Sequence, residues 1–291
     1  MAKATKPDWL KIKLQTGPNF QDLKQIVRAQ GLHTVCQEAI CPNISECWER
    51  RAATIMILGD ICTRSCRFCA VKTGKPSAVD LDEPRRTATA VKQMGLHHCV
   101  ITSVDRDDLA DGGAQIWAET IEAIHAEVPG CSVEVLTPDF KGVRKDIQTV
   151  LDAFPEIMSH NMETVARLHR RIRPQAKYER SLDVLQQSVE AGLQTKTAIM
   201  VGIGETLEEV FELMDDVRAR GTQIFSVGQY LQPTREHEPV HRYVTPAEFE
   251  EYKTYGLSIG YTHVESGPLV RSSYHADEQV IKNPALSRQA V

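Results

Sequence analysis

Short runs of β-branched and aliphatic residues recur through the middle of the chain, and segments with helical spacing of apolar positions follow them. The runs predict six strands, at residues 53–58, 99–104, 132–136, 156–159, 195–201 and 223–229. The helical spacing predicts helices at residues 83–94, 114–128, 145–154, 164–172, 178–191 and 207–220. Because strands joined by crossover helices pair in parallel, the pattern predicts an α/β protein with a parallel sheet. Periodicity alone leaves an open doubly wound sheet and a partial barrel as alternatives.

These units occupy residues 52–232, and they divide the chain into three predicted parts. Residues 1–51 form an N-terminal extension, and residues 233–291 form a C-terminal extension. The C-terminal extension holds one predicted helix, at 246–258 with Thr245 as its N-cap, followed by the segment RSSYHA without a clear period.

Composition narrows the class of protein further. The chain has 291 residues, a net charge of −5 and 42% hydrophobic residues, which is typical of a soluble globular protein. Its longest apolar stretches fall far short of the ~18 residues of a membrane-spanning helix, and no basic stripe interleaves with aromatic residues as in nucleic-acid binding. The N-terminal segment lacks the apolar region of a secretory signal, so we expect a cytoplasmic protein with reduced thiols.

The eight cysteines are unevenly distributed, and six of them lie between positions 36 and 69. Such clustering in a reducing compartment indicates metal ligands. The two separate cysteines, Cys99 and Cys131, lie in apolar runs, and we expect both to be core residues.

Cys62, Cys66 and Cys69 form a CxxxCxxC motif directly after the first predicted strand. The carboxyl ends of parallel strands are where α/β proteins bind ligands. Three thiolates suit iron–sulfur or zinc, but a closed structural site needs four ligands and no fourth Cys or His follows nearby. An iron–sulfur cubane held by three cysteines leaves one iron open for chemistry.

Cys36, Cys41 and Cys47 form a second set of three, with the spacing CxxxxCxxxxxC. Its fourth ligand must be distant, a solvent species or a hard side chain. A structural zinc site that shares ligands between the two sets remains an alternative.

The CxxxCxxC motif after a first strand resembles the signature of the radical S-adenosylmethionine (SAM) superfamily. The upstream CxxxxCxxxxxC motif and the downstream RSSYHA are similar to the lipoyl synthase family within it, as are the blocks TIMILGDICTRSCRFCAVKTGKP, HNMETV, VGIGET and SGPLVRSSYHAD. The resemblance extends nearly from end to end. It implies a partial (β/α)6 TIM-type barrel with N- and C-terminal extensions.

The resemblance also implies two 4Fe-4S clusters and SAM as cofactors. Cys62, Cys66 and Cys69 would hold the first cluster, whose open iron chelates SAM; reduction then cleaves SAM to methionine and a 5′-deoxyadenosyl radical. The implied substrate is an octanoyl chain on a protein lysine. Since its C–H bonds offer no acidity to a general base, a radical-generating cofactor is required.

By the same resemblance, Cys36, Cys41 and Cys47 hold the second cluster with the hydroxyl of Ser273 as its fourth ligand. This auxiliary cluster would donate two sulfur atoms, to carbons 6 and 8 of the octanoyl chain. Arg271 lies two residues before Ser273 and is a candidate for positioning at this catalytic centre, with a simple surface arginine as the alternative.

Polar residues at the carboxyl ends of successive predicted strands are candidates for binding SAM. An amide and a carboxylate suit the two ribose hydroxyls, although the segment HNMET could instead cap the following helix at Thr164. The charged loop at 105–111 is expected to be solvated unless it lies near the site. The candidate SAM contacts are Thr102, Ser103, Asn161, Glu163 and Gly202.

The resemblance names the kinds of partner as well. It implies an octanoylated lipoyl carrier domain, such as the glycine cleavage H protein or a 2-oxoacid dehydrogenase E2 component, and an electron donor such as ferredoxin or flavodoxin. We expect a monomer that binds neither nucleic acid nor a membrane. Two alternatives remain open: a radical SAM sulfur-inserting enzyme similar to biotin synthase, and a non-catalytic iron–sulfur electron carrier or zinc-stabilised binding module.

Overall fold

A computed structural model describes residues 6–12 and 16–281 of the chain. Its main feature is a sheet of eight strands whose spatial order follows the order of the chain. A separate two-stranded sheet, β3 with β4, lies in the loop after β2. The strands are β1 (His33–Thr34), β2 (Thr54–Ile57), β3 (Ile61–Cys62), β4 (Lys72–Thr73), β5 (His98–Ser103), β6 (Ser132–Leu136), β7 (Ile157–Ser159), β8 (Gln194–Val201), β9 (Ile224–Gln229) and β10 (His263–Gly267).

The order of the strands distinguishes the two architectures that periodicity left open. In the eight-stranded sheet, β2 and β5 to β10 pair in parallel in sequence order, and only β1 pairs antiparallel, with β2. A doubly wound sheet reverses its strand order at a switch point, whereas a barrel does not. The order runs from β1 to β10 without closing on itself, so the predicted partial TIM-type barrel is confirmed.

Helices cover the outside of this sheet, and several begin and end where local signals predict. Thr206 and Thr245 each make a capping box with a glutamate three residues on, and Gly95 ends a helix in the left-handed conformation. Two short 3-10 turns lie at Asp8–Leu10 and Phe140–Gly142. The α-helices are α1 (Pro18–Ala29), α2 (Val35–Glu38), α3 (Ile44–Glu49), α4 (Glu83–Met94), α5 (Ala114–Glu127), α6 (Arg144–Asp152), α7 (Ala166–Ile172), α8 (Tyr178–Glu190), α9 (Leu207–Ala219), α10 (Pro246–Ser258) and α11 (Ala276–Ile281).

Both predicted extensions take part in this architecture. β1 adds an edge strand before the first predicted strand, and β10 pairs with β9 at the other edge. The short sequence HVESG of β10 has little intrinsic strand propensity, so its pairing with β9 accounts for the strand. Parts of both extensions lie outside the described residues, and the division at positions 51 and 232 stays a prediction.

The segment after β10 lies against α3 and its N-cap residue. The side-chain amide of Asn43 donates to the carbonyl of Leu269 at 2.7 Å, and Arg50 binds the carboxylate of Asp277 at 3.3 Å. The Tyr274 hydroxyl donates to Glu46 at 3.1 Å. The segment after β10 is therefore attached to α3, which carries Cys47.

The inside of the barrel contains a charged layer near the amino ends of the strands. Lys196 on β8 binds both carboxylate oxygens of Glu134 on β6, at 2.9 and 3.2 Å. His98 on β5 lies 3.6 Å from the same carboxylate. Lys196 and Glu134 are fully buried, so their charges are balanced by each other rather than by water. Cys99 and Cys131 lie in the apolar core, which confirms their prediction as core residues.

Candidate active site

The loop that carries Cys62, Cys66 and Cys69 begins at the carboxyl end of β2. The pairing of β3 with β4 closes the loop on itself, and the amide of Gly74 donates to the carbonyl of Cys62 at 2.9 Å. Within it, the amide of Cys69 donates to the carbonyl of Cys66 at 3.1 Å. Burial raises the pKa of Cys66 to about 12 and that of Cys69 to about 11. The loop therefore presents three half-buried thiols. Because burial disfavours their charged form, they need a cationic partner to become thiolates.

Hydrogen bonds and a buried arginine fix this loop to the next one. The amides of Arg64 and Asp105 both donate to Cys62 Sγ, at 3.4 and 3.3 Å. The Arg64 side chain is only 2% exposed and pairs with Asp105, Asp107 and Asp139 at 3.2, 2.7 and 2.7 Å. Although burial alone would raise it, the pKa of Asp139 is held well below its usual range by the Arg64 guanidinium. The charged loop at 105–111 thus supports the cysteine loop, and because Asp105 lines the cavity, the loop lies near the site.

The other three cysteines lie on and between α2 and α3. Cys36 lies in α2, whose N-cap Thr34 accepts the amide of Gln37 at 3.3 Å, and Cys47 lies in α3. Cys41 follows α2. Burial, together with the other thiols of the group, raises the pKa of Cys36 to about 11 and that of Cys47 to about 12. These thiols therefore lie close enough to influence each other electrostatically.

Ser273 and Arg271 reach this second set of thiols from the far end of the chain. The hydroxyl of Thr54, at the start of β2, donates to Ser273 Oγ at 2.9 Å. The Arg271 guanidinium acts to lower the pKa of the Cys41 thiol, although burial raises that pKa overall. The structure thus brings Ser273 and Arg271 to the cavity that Cys36, Cys41 and Cys47 line.

One cavity of about 530 Å³ connects the two groups of cysteines through the barrel interior. The Cys62 loop follows the carboxyl end of β2, whereas Ser273 contacts Thr54 at its amino end. At ~3.3 Å per residue, the strand separates these two ends by about 10 Å. The wall between them includes the apolar side chains of Met56, Val100, Leu136, Ala198 and Met200.

Four of the five predicted SAM contacts line this cavity. Thr102 and Ser103 lie at the end of β5 and donate to backbone carbonyls, of Leu136 and Val104 respectively. The Asn161 amide donates to Glu163 Oε1 at 3.0 Å, while the buried Asn161 Oδ1 has no hydrogen-bond partner among the described residues. An unsatisfied buried acceptor beside a carboxylate is the arrangement expected for an absent polar ligand such as a diol.

Gly202, the fifth of these residues, does not line the cavity. Its amide donates to Glu205 Oε1 at 2.5 Å, and a Cβ at this position would lie 2.2 Å from Gln229 Nε2. The structure therefore makes Gly202 a close-packing residue of the turn after β8. The alternative for the HNMET segment, a cap at Thr164, is also wrong, because the N-cap of α7 is Val165.

Arg173 is a cavity residue that sequence reasoning did not assign to the site. It is the C-cap residue of α7, where a cation suits the helix dipole without any further role. Its guanidinium donates to the carbonyl of Asn161 at 2.9 Å and opposes the rise of the Cys66 and Glu163 pKa values that burial causes. No local signal separates Arg173 from its neighbours Arg170 and Arg171, so only the fold could identify it.

Three soft thiol donors in each group, all lining the cavity, form a donor set that suits an iron–sulfur cluster. Within residues 6–12 and 16–281, no three Cys, His, Asp or Glu side chains stand close enough together to hold one metal ion. A tetrahedral zinc site needs sulfurs ~2.3 Å from a common metal. A cubane requires wider spacing, because each thiolate binds a different iron.

Comparison with known proteins defines the class first. The fold is similar to a solved structure of methylornithine synthase, with a TM-score of 0.55 and 13% identity over 90% of this chain and 88% of that one. That likeness concerns the fold alone. The radical SAM superfamily matches residues 56–217, more than half of the chain, so the chain is a radical SAM protein.

The particular family follows from closer relatives. The N-terminal domain of lipoyl synthase matches residues 2–41. The lipoyl synthase of Rubrobacter xylanophilus is 58% identical over 94% of this chain and 86% of its own length, and that of Bacillus cytotoxicus is 57% identical over 94% and 93%. The chain belongs to the lipoyl synthase family of radical SAM enzymes. This membership implies SAM and two 4Fe-4S clusters as cofactors, and it favours sulfur insertion of the lipoyl type over the biotin synthase alternative.

The lengths and apolar character of the helices bear on the prediction that the chain has no membrane span. In the part of the chain that the structure describes, no helix has the length and apolar character needed to cross a membrane.

Proposed function

We propose that this chain inserts two sulfur atoms, at carbons 6 and 8, into an octanoyl group bound to a lysine of a lipoyl carrier protein. The observation that carries the proposal is the single cavity lined by both groups of cysteines. Family membership supports the reaction, since the relatives are lipoyl synthases.

Two sets of residues would hold the cofactors. Cys62, Cys66 and Cys69 would bind the first cluster and leave one iron for SAM. The three thiols of Cys36, Cys41 and Cys47, together with the Ser273 hydroxyl, would bind the second cluster. The Thr54 contact and the electrostatic effect of Arg271 on the Cys41 thiol support this assignment. When bound, these groups supply a carbon-centred radical that removes hydrogen from unactivated C–H bonds and a source of sulfur.

The chain's own residues would orient the substrates and exclude water. The apolar wall between the cysteine groups suits a hydrocarbon chain, whose burial there is favourable at ~25 cal/mol per Å². Asn161 and Glu163 would bind the ribose hydroxyls of SAM, with Thr102 and Ser103 beside them. Gly202 is left out of this set because its amide is taken by Glu205.

Finer features of the function belong to the same proposal. The carrier would be a glycine cleavage H protein or a 2-oxoacid dehydrogenase E2 domain, and ferredoxin or flavodoxin would donate electrons to a monomeric enzyme. A cytoplasmic location is supported by the eight free cysteines, because reducing compartments keep thiols unpaired. The N-terminal extension, the barrel at 52–232 and the C-terminal extension would act as three parts of one enzyme.

The replacement Ser273→Ala tests the proposal, with Ser272→Ala as its matched control. Ser272 also lines the cavity, but the contact with Thr54 belongs to Ser273. We expect Ser273→Ala to keep SAM cleavage, measured as 5′-deoxyadenosine, and to lower lipoyl product from an octanoyl-lysine peptide at least tenfold. An unchanged lipoyl yield would remove Ser273 from the mechanism.

Iron content provides an independent measurement. Two cubanes give about eight irons per reconstituted chain. Four irons or fewer, in protein with all six cysteines reduced and intact, would contradict the two-cluster assignment.

A further inference from the structure

Two arginines and a histidine surround one carboxylate on the outside of the barrel. Glu238 lies 3.7 Å from Arg67, 3.3 Å from Arg171 and 3.6 Å from His241. We call Arg67, Arg171 and His241, with the Glu238 between them, the loop-face patch. The two arginines exceed the single carboxylate by one positive charge.

The loop-face patch is built directly on the loop that carries Cys66 and Cys69. Arg67 lies between these two cysteines, and its carbonyl accepts the amide of Glu238 at 2.9 Å. His237, next in the chain, contacts the carbonyl of Cys69 through Nε2 at 2.9 Å. The patch is therefore the outer side of the loop whose thiols face the cavity.

The charges of the patch are arranged so that the cations face solvent. The side chains of Arg67 and Arg171 are 59% and 40% exposed, whereas that of Glu238 is only 7% exposed. Arg170 is also exposed, and no carboxylate lies within ion-pair distance of it among the described residues. The chain as a whole carries a net charge of −5, so the positive charge of this surface is opposite in sign to the net charge of the protein.

We propose that the loop-face patch is the docking surface for an acidic electron-transfer protein that reduces the group held by Cys62, Cys66 and Cys69. The inference rests on the proposed function, because that function needs one electron for each SAM cleaved. The donor loses one electron and the bound group gains it, and no atom is transferred. An acidic donor complements the exposed arginines, and docking on the outside of the loop leaves the cavity free for SAM and the acyl chain.

Charge complementarity at an exposed surface acts mainly on the rate of encounter. Such steering changes association rates by tenfold or more at low ionic strength. It weakens as salt shortens the Debye length to about 8 Å at physiological ionic strength. The patch therefore predicts a salt-dependent reaction with a protein donor and no such dependence with a small reductant.

The test neutralises both arginines, as Arg67→Gln/Arg171→Gln. The control, Lys92→Gln/Arg220→Gln, removes the same charge at the opposite end of the barrel, because both residues lie at the carboxyl ends of barrel helices and these ends adjoin the amino ends of the strands. The probe is flavodoxin, an acidic flavin protein. We expect the patch variant to bind oxidised flavodoxin about tenfold more weakly in titration calorimetry at low salt, and the control to bind it normally.

Turnover measurements separate this inference from the function itself. With flavodoxin as reductant, we expect the patch variant to cleave SAM about tenfold more slowly at low salt, and with dithionite to match the wild-type rate. An equal loss with both reductants would overturn the docking proposal, as would unchanged binding and turnover with flavodoxin. A loss seen only with an octanoylated carrier protein, and not with an octanoyl peptide, would assign the surface to the carrier and also overturn it. If the wild type makes no lipoyl product with dithionite and peptide, the proposed function fails independently of the patch.

Discussion

Gly228 on β9 allows the C-terminal segment to lie against the barrel. A Cβ at this position would lie 2.0 Å from the carbonyl oxygen of Val270, a separation that real contacts do not reach. The segment would have to move by about 1 Å to restore even a tight contact of 3.0 Å. Ser273 lies three residues beyond Val270, and its 2.9 Å contact with Thr54 would be lost by such a movement.

We therefore expect Gly228→Ala to uncouple SAM cleavage from sulfur insertion. A misplacement of ~1 Å at a reacting centre costs on the order of 100-fold in rate, so the lipoyl product should fall by about that factor. Formation of 5′-deoxyadenosine should continue, because the atoms nearest to a Cβ at Gly228 belong to Val270 and Arg271 and not to the loop of Cys62, Cys66 and Cys69. Both products are measured in the same single-turnover reaction with dithionite and an octanoyl-lysine peptide.

Gly267→Ala provides the matched control for this prediction. A Cβ there would lie 3.4 Å from Val270 Cγ2, which is an ordinary van der Waals contact. The control should give wild-type amounts of both products. The reasoning is refuted if Gly228→Ala forms lipoyl product at the wild-type rate, or if the folded variant loses both products equally.

Two further predictions concern buried charges and are measured on the chain before clusters are loaded. Lys196→Met leaves the Glu134 carboxylate buried without its cation and should cost about 3–5 kcal/mol in urea unfolding, whereas Lys196→Met/Glu134→Met should recover most of that loss; an unchanged single variant would contradict the buried pair. Burial lowers the pKa of His160 to about 4, while an unfolded histidine titrates near 6.5. Between these pH values the unfolded chain binds the extra proton, so stability should decrease as pH falls from about 6.5 to 4, by about 3 kcal/mol from this group. His160→Gln should remove this contribution to the pH dependence of stability. An identical pH dependence in the variant and the wild type would contradict the assignment to His160.

The barrel itself was largely predictable because its signals are local. The spacing of apolar residues placed α4 and α10 at their observed bounds, and the predicted N-cap Thr245 is the observed N-cap of α10. β10 could not be predicted, because HVESG becomes a strand only by pairing with β9. The choice between a doubly wound sheet and a barrel depends on strand order, which no local pattern records.

The residues of the site also fall into those that local sequence signals identify and those that only the fold identifies. The cysteine groups were visible because their spacing is short, whereas the contact between Thr54 and Ser273 joins residues 219 positions apart. Ser273 was identified through the family resemblance and not through its own neighbours. Arg173 and Gly202 show the remaining difficulty: whether a side chain or amide faces a cavity depends on how strands and loops pack, which spacing does not encode.

That long separation also sets the order in which the two centres can be completed during synthesis. The amide of Asp105, which donates to Cys62 Sγ, lies only 43 residues later in the chain. The residues that contact the first cysteine loop are therefore synthesised soon after the loop itself. At 5–20 residues per second, the ribosome needs about 10–45 s more to pass from Thr54 to Ser273. The cysteines of α2 and α3 therefore emerge long before the residues that face them, and the second centre can take its final form only after nearly the whole chain has been made.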